Sequence, residues 1–547
     1  RKDLMTSTNF MNGLFHAQTT IGNTDSNRLL SANRGLLNIQ KYTGQRIWIK
    51  LDGVYRVLAL PAAYEIALNY SKWFYKIGDD MLTVTAAACD DAPGMQLGVV
   101  SEKGVSYEFI VTSQLSMGSA EFNEDIVIKQ HGHTVLVMPT KEASIKNYYP
   151  DLMYRIDFPQ DSVITDDSIL YEDGLTRNGT MLCASFSGSK WLMTMMGQLY
   201  ENGIAKQDES EMQQAVRRNP ETMLAHYIDF YNAFKKNAHL GFKNGSDSEE
   251  YEAAQKLNVL TTWYIHNAFV HFYVPRGLEQ CSGAAWGTRD VCQGPMELFL
   301  TTAHFELARE TLLEIFAHQN VETKEWPQWF MFDEYPYMAG DCHGDVIFWP
   351  LKCLGDYMEY TGDYTILNEC VPYRRTDGSK TERETVMQHL MLALDAIKER
   401  FIGDTALISY AGGDWDDTLQ PADPKMKEHL VSAWTQALAY QTLNTLCESL
   451  KKAEDRQLRE DAEGIKPYAK NIREDFYKYL IKDNVIAGFA YIEDNGDISY
   501  MLHPSDEKTG IHYRLLPLTR SIISGLSDEA LAQKNVNVID EKLTFPD

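Results

Sequence analysis

A change of hydrophobic period near Glu209 constrains this chain of 547 residues more than any other feature. Before that point, short β-branched or aromatic runs are cut by Gly, Asp and Asn: Arg46-Ile-Trp-Ile-Lys-Leu51, Met81-Leu-Thr-Val-Thr85, Val105-Ser-Tyr-Glu-Phe-Ile-Val-Thr112, Asp125-Ile-Val-Ile-Lys129 and His133-Thr-Val-Leu-Val-Met138. Runs of that length between turn residues read as an antiparallel β-sandwich. Beyond it, apolar residues recur every three or four positions over residues 211–234, 250–274, 295–318, 345–360, 382–401, 427–453 and 456–480. These are the lengths and the period of amphipathic helices, with Pro295 expected in a first helical turn.

A sandwich followed by such helices fits a bundle, a solenoid or an α/α toroid. No motif repeats at a fixed period, which counts against a solenoid. In a toroid of helical hairpins the long inter-helix loops collect at one end and can build a cleft. The expected organisation is therefore multidomain β plus α: a β-sandwich over residues 1–202, a helical linker over 203–245 and an (α/α)6 barrel over 246–547.

Charge narrows the ligand. Lys and Arg number 51 against 77 Asp and Glu, a net charge of −26. That balance disfavours nucleic acid and anionic membranes, which call for clustered basic residues, and favours a neutral substrate; an anionic cosubstrate would need a local basic pocket. The 10 Trp, 30 Tyr and 22 Phe suit both core packing and sugar stacking. The 8 cysteines form no CxxC pair, so they read as scattered thiols of a reducing, cytoplasmic setting, with neither a disulfide framework nor a zinc site. No apolar run reaches the roughly 18 residues of a spanning helix; even residues 259–274 are interrupted by His266, Asn267 and His271. The absent initiator methionine and a terminus directly after an amphipathic segment suggest part of a longer protein.

Three clusters carry chemistry. Ser409-Tyr-Ala-Gly-Gly-Asp-Trp-Asp-Asp-Thr-Leu-Gln420 reads either as an acidic turn that caps the next helix or as a catalytic acid beside a sugar-stacking ring. In the second reading Trp415 offers a flat face, and crowding among Asp414, Asp416 and Asp417 opposes ionisation, so that one carboxyl can be the proton donor a glycosidic oxygen needs. Ser282-Gly-Ala-Ala-Trp-Gly-Thr-Arg-Asp-Val-Cys-Gln-Gly-Pro295 reads as a tight loop with an internal Arg–Asp pair, or as a hydroxyl-binding loop using Arg289 and Asp290. Met338-Ala-Gly-Asp-Cys-His-Gly-Asp-Val-Ile-Phe-Trp-Pro350, preceded by Trp326, Trp329 and Tyr335, spaces Asp341, His343 and Asp345 in a way that invites a metal. Its place at a loop-to-helix junction, where Asp caps helices, and the lack of further ligands argue for no metal.

Taken in order, Gly-Thr-Arg289-Asp290-x-x-Gln293, Asp345-Val-Ile-Phe-Trp-Pro350, Tyr360-Thr-Gly-Asp363 with Ile366-Leu-Asn-Glu369, and Gly412-Gly-Asp-Trp-Asp-Asp417 resemble the phosphorylases of glycoside hydrolase family 94. The resemblance runs from about residue 277 onward, and the family's β-sandwich and helical linker match the texture of the first part. It implies that Asp417 is the general acid and that Trp415 and Arg289 line the sugar site beside the scissile bond. Asp345, Asp290, Gln293 and Asp414 would bind sugar hydroxyls, with Trp286 adding stacking surface. Two departures stand out: many members have Asp-Trp-Asn-Asp-Gly where this chain has Asp-Trp-Asp416-Asp417-Thr418, and the Arg-Asp motif continues to Gln293-Gly294 in place of Gln-Asp. The second alters the grip on the terminal sugar and makes cellobiose a poor guess. Both variants look most like the family's 1,2-β-oligoglucan phosphorylases.

The implied reaction is inverting phosphorolysis of a β-gluco-oligosaccharide, with inorganic phosphate as cosubstrate, α-glucose 1-phosphate as product and no cofactor. The rival on the same fold is an inverting hydrolase with Asp345 or Asp416 as base; a rival of another class is a non-catalytic carbohydrate-binding protein. The family's phosphate-holding residues are expected beyond Asp547, leaving a barrel cut before closure and without stable activity alone. A monomer or homodimer is expected.

Overall fold

The computed structural model describes residues 5–9, 17–21, 44–92, 94–115, 126–143, 146, 150–198, 200–201, 204–205, 208–235, 239–241, 249–273, 286–330, 338–417 and 420–545. The chain divides into two compact units, one formed chiefly by residues 1–285 and the other by Trp286–Phe330 and Pro336–Asp547.

Two antiparallel sheets form the first unit. One has eight strands in the order Ile126–His131, Thr134–Pro139, Met153–Asp157, Lys190–Gln198, Gly94–Ser101, Asp80–Ala88, Tyr70–Ile77, Ala63–Ile66; the other has five, Val163–Thr165, Met181–Gly188, Tyr107–Gln114, Gly44–Leu51, Val54–Val57. Strict alternation decides which face is buried. In Gly44–Leu51, Gln45, Ile47 and Ile49 point inward while Arg46, Trp48 and Lys50 stay partly exposed. Ile47 lies opposite Val111, and Val111 opposite Ala184, all fully buried. Val84 and Val99 pair on the larger sheet, and both belong to the same apolar core as Ile47, Phe109 and Trp191. One core between two sheets is the expected sandwich. The five strand segments named from the sequence all fall on strands here.

Helices α1 (Glu209–Ala215), α2 (Pro220–Phe234) and α3 (Glu249–Tyr273) complete this unit. The helix read over 211–234 is two helices, because Asn219 caps a new start with Pro220 in its first turn.

The second unit holds α4 (Thr288–Thr301), α5 (Phe305–Phe316), α6 (Phe348–Thr361), α7 (Val386–Glu399), α8 (Pro424–His429), α9 (Ala433–Lys451), α10 (Arg456–Tyr479), α11 (Leu515–Ile523) and α12 (Glu529–Val538). Helix α6 packs between α4 and α9, and α9 next to α11; α5, α10 and α12 lie against α4, α9 and α11 respectively. That is the inner and outer layering of an α/α barrel. Burial matches: α6 is buried without a break from Phe348 to Gly355, whereas α10 buries only Ala462, Ile465, Ala469, Ile472 and Phe476, the single stripe of an outer helix. No helix among the described residues is long and apolar enough to cross a membrane.

Three expectations about the helices need correction. Pro295 lies inside α4, which begins at Thr288 after Gly287 with Asp290 in its first turn; the helix ends where Ala303 takes a positive φ, splitting residues 295–318. Residues 382–385 belong to a strand, Lys380–Thr385, paired with Cys370–Arg374, and α7 starts only at the Thr385–Gln388 capping box. Residues 430–432 leave the helical path to pair with Phe489–Ile492.

Candidate active site

Two loops of the helical unit carry the site. Residues 342–345 lead into α6, and residues 410–417 lie beside them; the Gly344 N–H donates to the Gly413 carbonyl at 2.8 Å and His343 bridges Ala411. Their closeness requires glycine at two points. A Cβ on Gly344 would overlap the Tyr410 carbonyl and the Arg400 guanidinium, while Gly413, at φ +145°, leaves the His343 ring about where a Cβ would be only 3.2 Å from it.

Arg289, 7% exposed, reaches this junction from the first turn of α4. Its Nη1 donates to the Asp414 carbonyl at 2.9 Å and its Nη2 to Asp417 Oδ1 at 2.7 Å, while Nη1 stands 3.7 Å from Asp345 Oδ1. One guanidinium thus holds three of the aspartates singled out from the sequence.

The carboxyls differ sharply in environment. Asp345 is fully buried; its Oδ2 accepts from Trp349 Nε1 at 3.0 Å, and its Oδ1 has no hydrogen-bond donor among the described residues. Burial raises its pKa to about 6, against the opposing pull of Arg289 and the Trp349 bond. Asp414, also buried, is raised by burial and held down by Ser432 and Tyr410. Its Oδ2 accepts from Ser432 at 2.5 Å, and its Oδ1 from the Asp416 N–H at 2.9 Å and the Tyr410 hydroxyl at 3.4 Å. Asp414 therefore shapes the loop, with both of its oxygens accepting hydrogen bonds from the protein. Asp416 pairs with Arg514. The Asp417 side chain is 60% exposed, its Oδ1 shared by Arg289 and, at 3.3 Å, by His343 Nδ1.

Trp415 is 42% exposed and stacks on Trp434 with centroids 5.9 Å apart and an interplanar angle of 27°; its Nε1 donates to Gln293 Oε1 at 3.3 Å. Gln293, whose Nε2 donates to the Arg289 carbonyl at 3.3 Å, so ties the ring to α4. Trp415, Asp416, Asp417, Arg514, Leu515 and Leu516 line a cavity of about 330 Å³. An exposed indole and an exposed acid open on one space.

Two expected groups lie elsewhere. Trp286 is 3% exposed and packs edge-on against Phe330, so it offers no face to a sugar; burial of a ring is invisible in a loop motif. Asp290 is exposed in the first turn of α4, its carboxylate folded back over Gly287, where it complements the helix N-terminus. Asp341, His343 and Asp345 do not bring ligand atoms together; the one such group among the described residues is Asp90, Asp91 and His226 in the other unit. Ser282 to Ala285, Tyr335, Thr418 and Cys281 fall outside the described residues, and the seven described cysteines are all free.

The sequence reading missed Arg514, Ser432, Tyr410 and Trp434. Arg514, Ser432 and Trp434 come from segments outside the motifs, and Tyr410, though inside the Ser409–Gln420 cluster, carries no signal of its bond to Asp414. His343 was noticed for its spacing, which raised and then lost a metal reading, and not as a partner of Asp417.

Residues 1–197 match the glycoside phosphorylase supersandwich domain, and residues 251–546 match the catalytic domain of the glycosyl hydrolase 94 superfamily. Among curated proteins, 1,2-β-oligoglucan phosphorylase of Listeria innocua serovar 6a is 38% identical over 547 residues, 99% of this chain and 48% of the relative. Solabiose phosphorylase of Paenibacillus borealis is 26% identical over 242 residues, 44% of this chain and 28% of the relative. The chain spans about half the length of the oligoglucan phosphorylase it matches. A bacterial glucoamylase crystallised with acarbose superposes with a TM-score of 0.57 at 11% identity, over 98% of this chain and 82% of that one; the likeness is one of fold.

Proposed function

This chain belongs to the glycosyl hydrolase 94 superfamily, and from that premise we propose that it serves inverting phosphorolysis of β-glucosidic bonds in β-1,2-linked gluco-oligosaccharides, with phosphate itself as the nucleophile. Asp417 gives its proton to the interglycosidic oxygen as the C1–O bond breaks. Phosphate attacks C1 from the opposite face, giving α-glucose 1-phosphate and an oligosaccharide shorter by one residue. Arg289, backed by the buried Asp345, is placed to steady the carboxylate that Asp417 becomes, and Trp415 to stack on a pyranose.

The observation that carries this reading is the pairing of an exposed Asp417 with Arg289 above a buried Asp345. A hydrolase would need a second carboxylate free to activate water. Asp416 is engaged by Arg514 and Asp345 is sealed from solvent, which favours phosphate over water. No cofactor is required. The free described cysteines suit a cytoplasmic setting, and the β-1,2 linkage is supported by the similarity to the oligoglucan phosphorylase.

The test is a panel of β-1,2, β-1,3 and β-1,4 gluco-oligosaccharides assayed with and without phosphate. The expected result is glucose 1-phosphate from the β-1,2 series only when phosphate is present. Sugar release that is indifferent to phosphate would overturn the reading.

A further inference from the structure

We infer that His343 is a positioning residue for the acid: a neutral imidazole whose Nδ1–H passes between the Asp414 carbonyl and the Asp417 carboxylate as Asp417 loses and regains its proton. The inference rests on the phosphorolysis proposed above and adds a residue to it.

The surroundings of the ring fix its tautomer. Nδ1 lies 3.1 Å from the Asp414 carbonyl and 3.3 Å from Asp417 Oδ1, two acceptors, so this nitrogen carries a hydrogen. On the other side Gln420 Nε2 approaches His343 Nε2 at 3.4 Å and donates to the Asp417 carbonyl at 3.1 Å. An amide N–H facing Nε2 needs a lone pair there. The imidazole is therefore held as the Nδ1–H form.

The ring is also fixed in place. Its backbone N–H donates to Gln328 Oε1 at 3.0 Å, its side chain is 18% exposed, and the flat face of Gly413 leaves it space that any Cβ would take. This gives a reason for the second glycine of Gly412-Gly413 that a simple turn does not.

The charged and titratable groups around the pair are Arg289 from α4, itself next to Asp290, then Asp345 from the loop before α6, Asp414 and Tyr410 from the acid's own loop, and Asp416 with Arg514 ahead of α11. Arg289 holds the same Oδ1 that His343 faces. When Asp417 is protonated, Nδ1–H rests on the Asp414 carbonyl. When the proton has gone to the glycosidic oxygen, Nδ1–H and Nη2–H both point at the new carboxylate. In the synthetic direction the same two donors hold Asp417 as the base that takes the acceptor hydroxyl's proton.

The experiment uses the natural full-length protein and two variants: His343→Phe, which keeps a ring beside Gly413 but has no donor, and His343→Asn, whose amide N–H occupies the place of Nδ1–H. Two donors are compared in the presence of phosphate, a β-1,2-gluco-oligosaccharide and β-glucosyl fluoride, whose fluoride leaves without needing a proton from Asp417. For His343→Phe, kcat on the oligosaccharide is expected to fall about 30-fold while kcat on the fluoride changes by less than about threefold, and the pH profile on the oligosaccharide shifts; His343→Asn recovers most of the loss. Equal losses on both donors, or an Asn variant no better than Phe, would overturn the inference. A wild-type enzyme that consumes either donor without phosphate would instead overturn the proposed reaction, since the variant ratios do not depend on which nucleophile is used.

Discussion

Each unit of this molecule contains an Asp-Asp pair held by arginine and histidine, with one arginine in the sandwich unit and two in the helical unit, and the two pairs differ in what supports them. In the sandwich unit, Asp90 accepts from Arg218 at 3.3 Å and from His226 at 2.5 Å, and Arg218 also pairs with Asp91. Asp91 and His226 have side chains 60% and 52% exposed. The cluster fastens the end of a strand to the start of α2 and is closed on itself. In the helical unit, Asp416 and Asp417 sit over a buried floor: the Arg289 side chain is 9% exposed, Asp345 is fully buried, and Asp345 Oδ1 has no hydrogen-bond donor among the described residues. The same residue types give a surface staple in one place and, in the proposed reaction, a proton donor beside a buried carboxyl in the other. Burial of the supporting groups makes the difference, because it fixes geometry and strengthens every interaction around the exposed acid.

Substitutions can break that contrast, beginning with the acid. Asp417→Asn keeps shape and removes the proton; phosphorolysis of an oligosaccharide is expected to drop about 10³-fold, within the range of general acid catalysis, with oligosaccharide affinity by calorimetry nearly unchanged. Unchanged turnover would remove Asp417 from its role. Next, Gly413→Ala forces a Cβ against the His343 ring at a φ of +145°; kcat should fall about tenfold, and a wild-type kcat would mean that the two loops can part without consequence.

Asp345 tests the buried floor through stability. Its pKa rises from 3.8 in the unfolded chain to about 6 in the fold, so the folded state holds the proton more tightly. The stability contribution of that proton is full below pH 3.8 and is lost as pH rises through about 6. Asp345→Asn is therefore expected to stabilise the fold, more at pH 8 than at pH 5, by up to about 3 kcal/mol, read as a higher melting temperature, while activity falls. A melting temperature lowered equally at both values would contradict a floor strained by its own charge. Arg514→Met, which releases Asp416 at the cavity wall, should reduce kcat/KM only about fivefold. The smallest effect belongs to the surface staple: Arg218→Met should change stability by less than about 1 kcal/mol and leave turnover unaltered in the same assay. A loss of activity there would erase the distinction between the two clusters.

How much of this could be read in advance depends on whether a feature is local. Strand segments such as Arg46 to Leu51 were legible because alternation is set by the strand's own two faces. Helix α10 was legible because its buried stripe repeats every three or four residues along one side. Inner helices were harder: α6 is buried on all sides from Phe348 to Gly355, and α4 hides its start behind Pro295, so their ends are set by neighbours. At the site, Arg289 and Asp417 were placed by the order of four motifs, and they meet at 2.7 Å. The burial of Trp286 and Asp414 was not legible, because a motif gives residue type and not burial. Arg514 lies 97 positions after Asp417 and reaches the cavity only through the packing of α11 against α9.

The most direct measurement follows oxygen. Wild-type enzyme is given a β-1,2-gluco-oligosaccharide and phosphate in ¹⁸O-labelled water, and the sugar released from the non-reducing end is analysed by NMR and mass spectrometry. If Asp417 is the acid and phosphate the nucleophile, the product is α-glucose 1-phosphate with no label at C1, and omission of phosphate stops the reaction. Labelled glucose, formed at the same rate with or without phosphate, would contradict it.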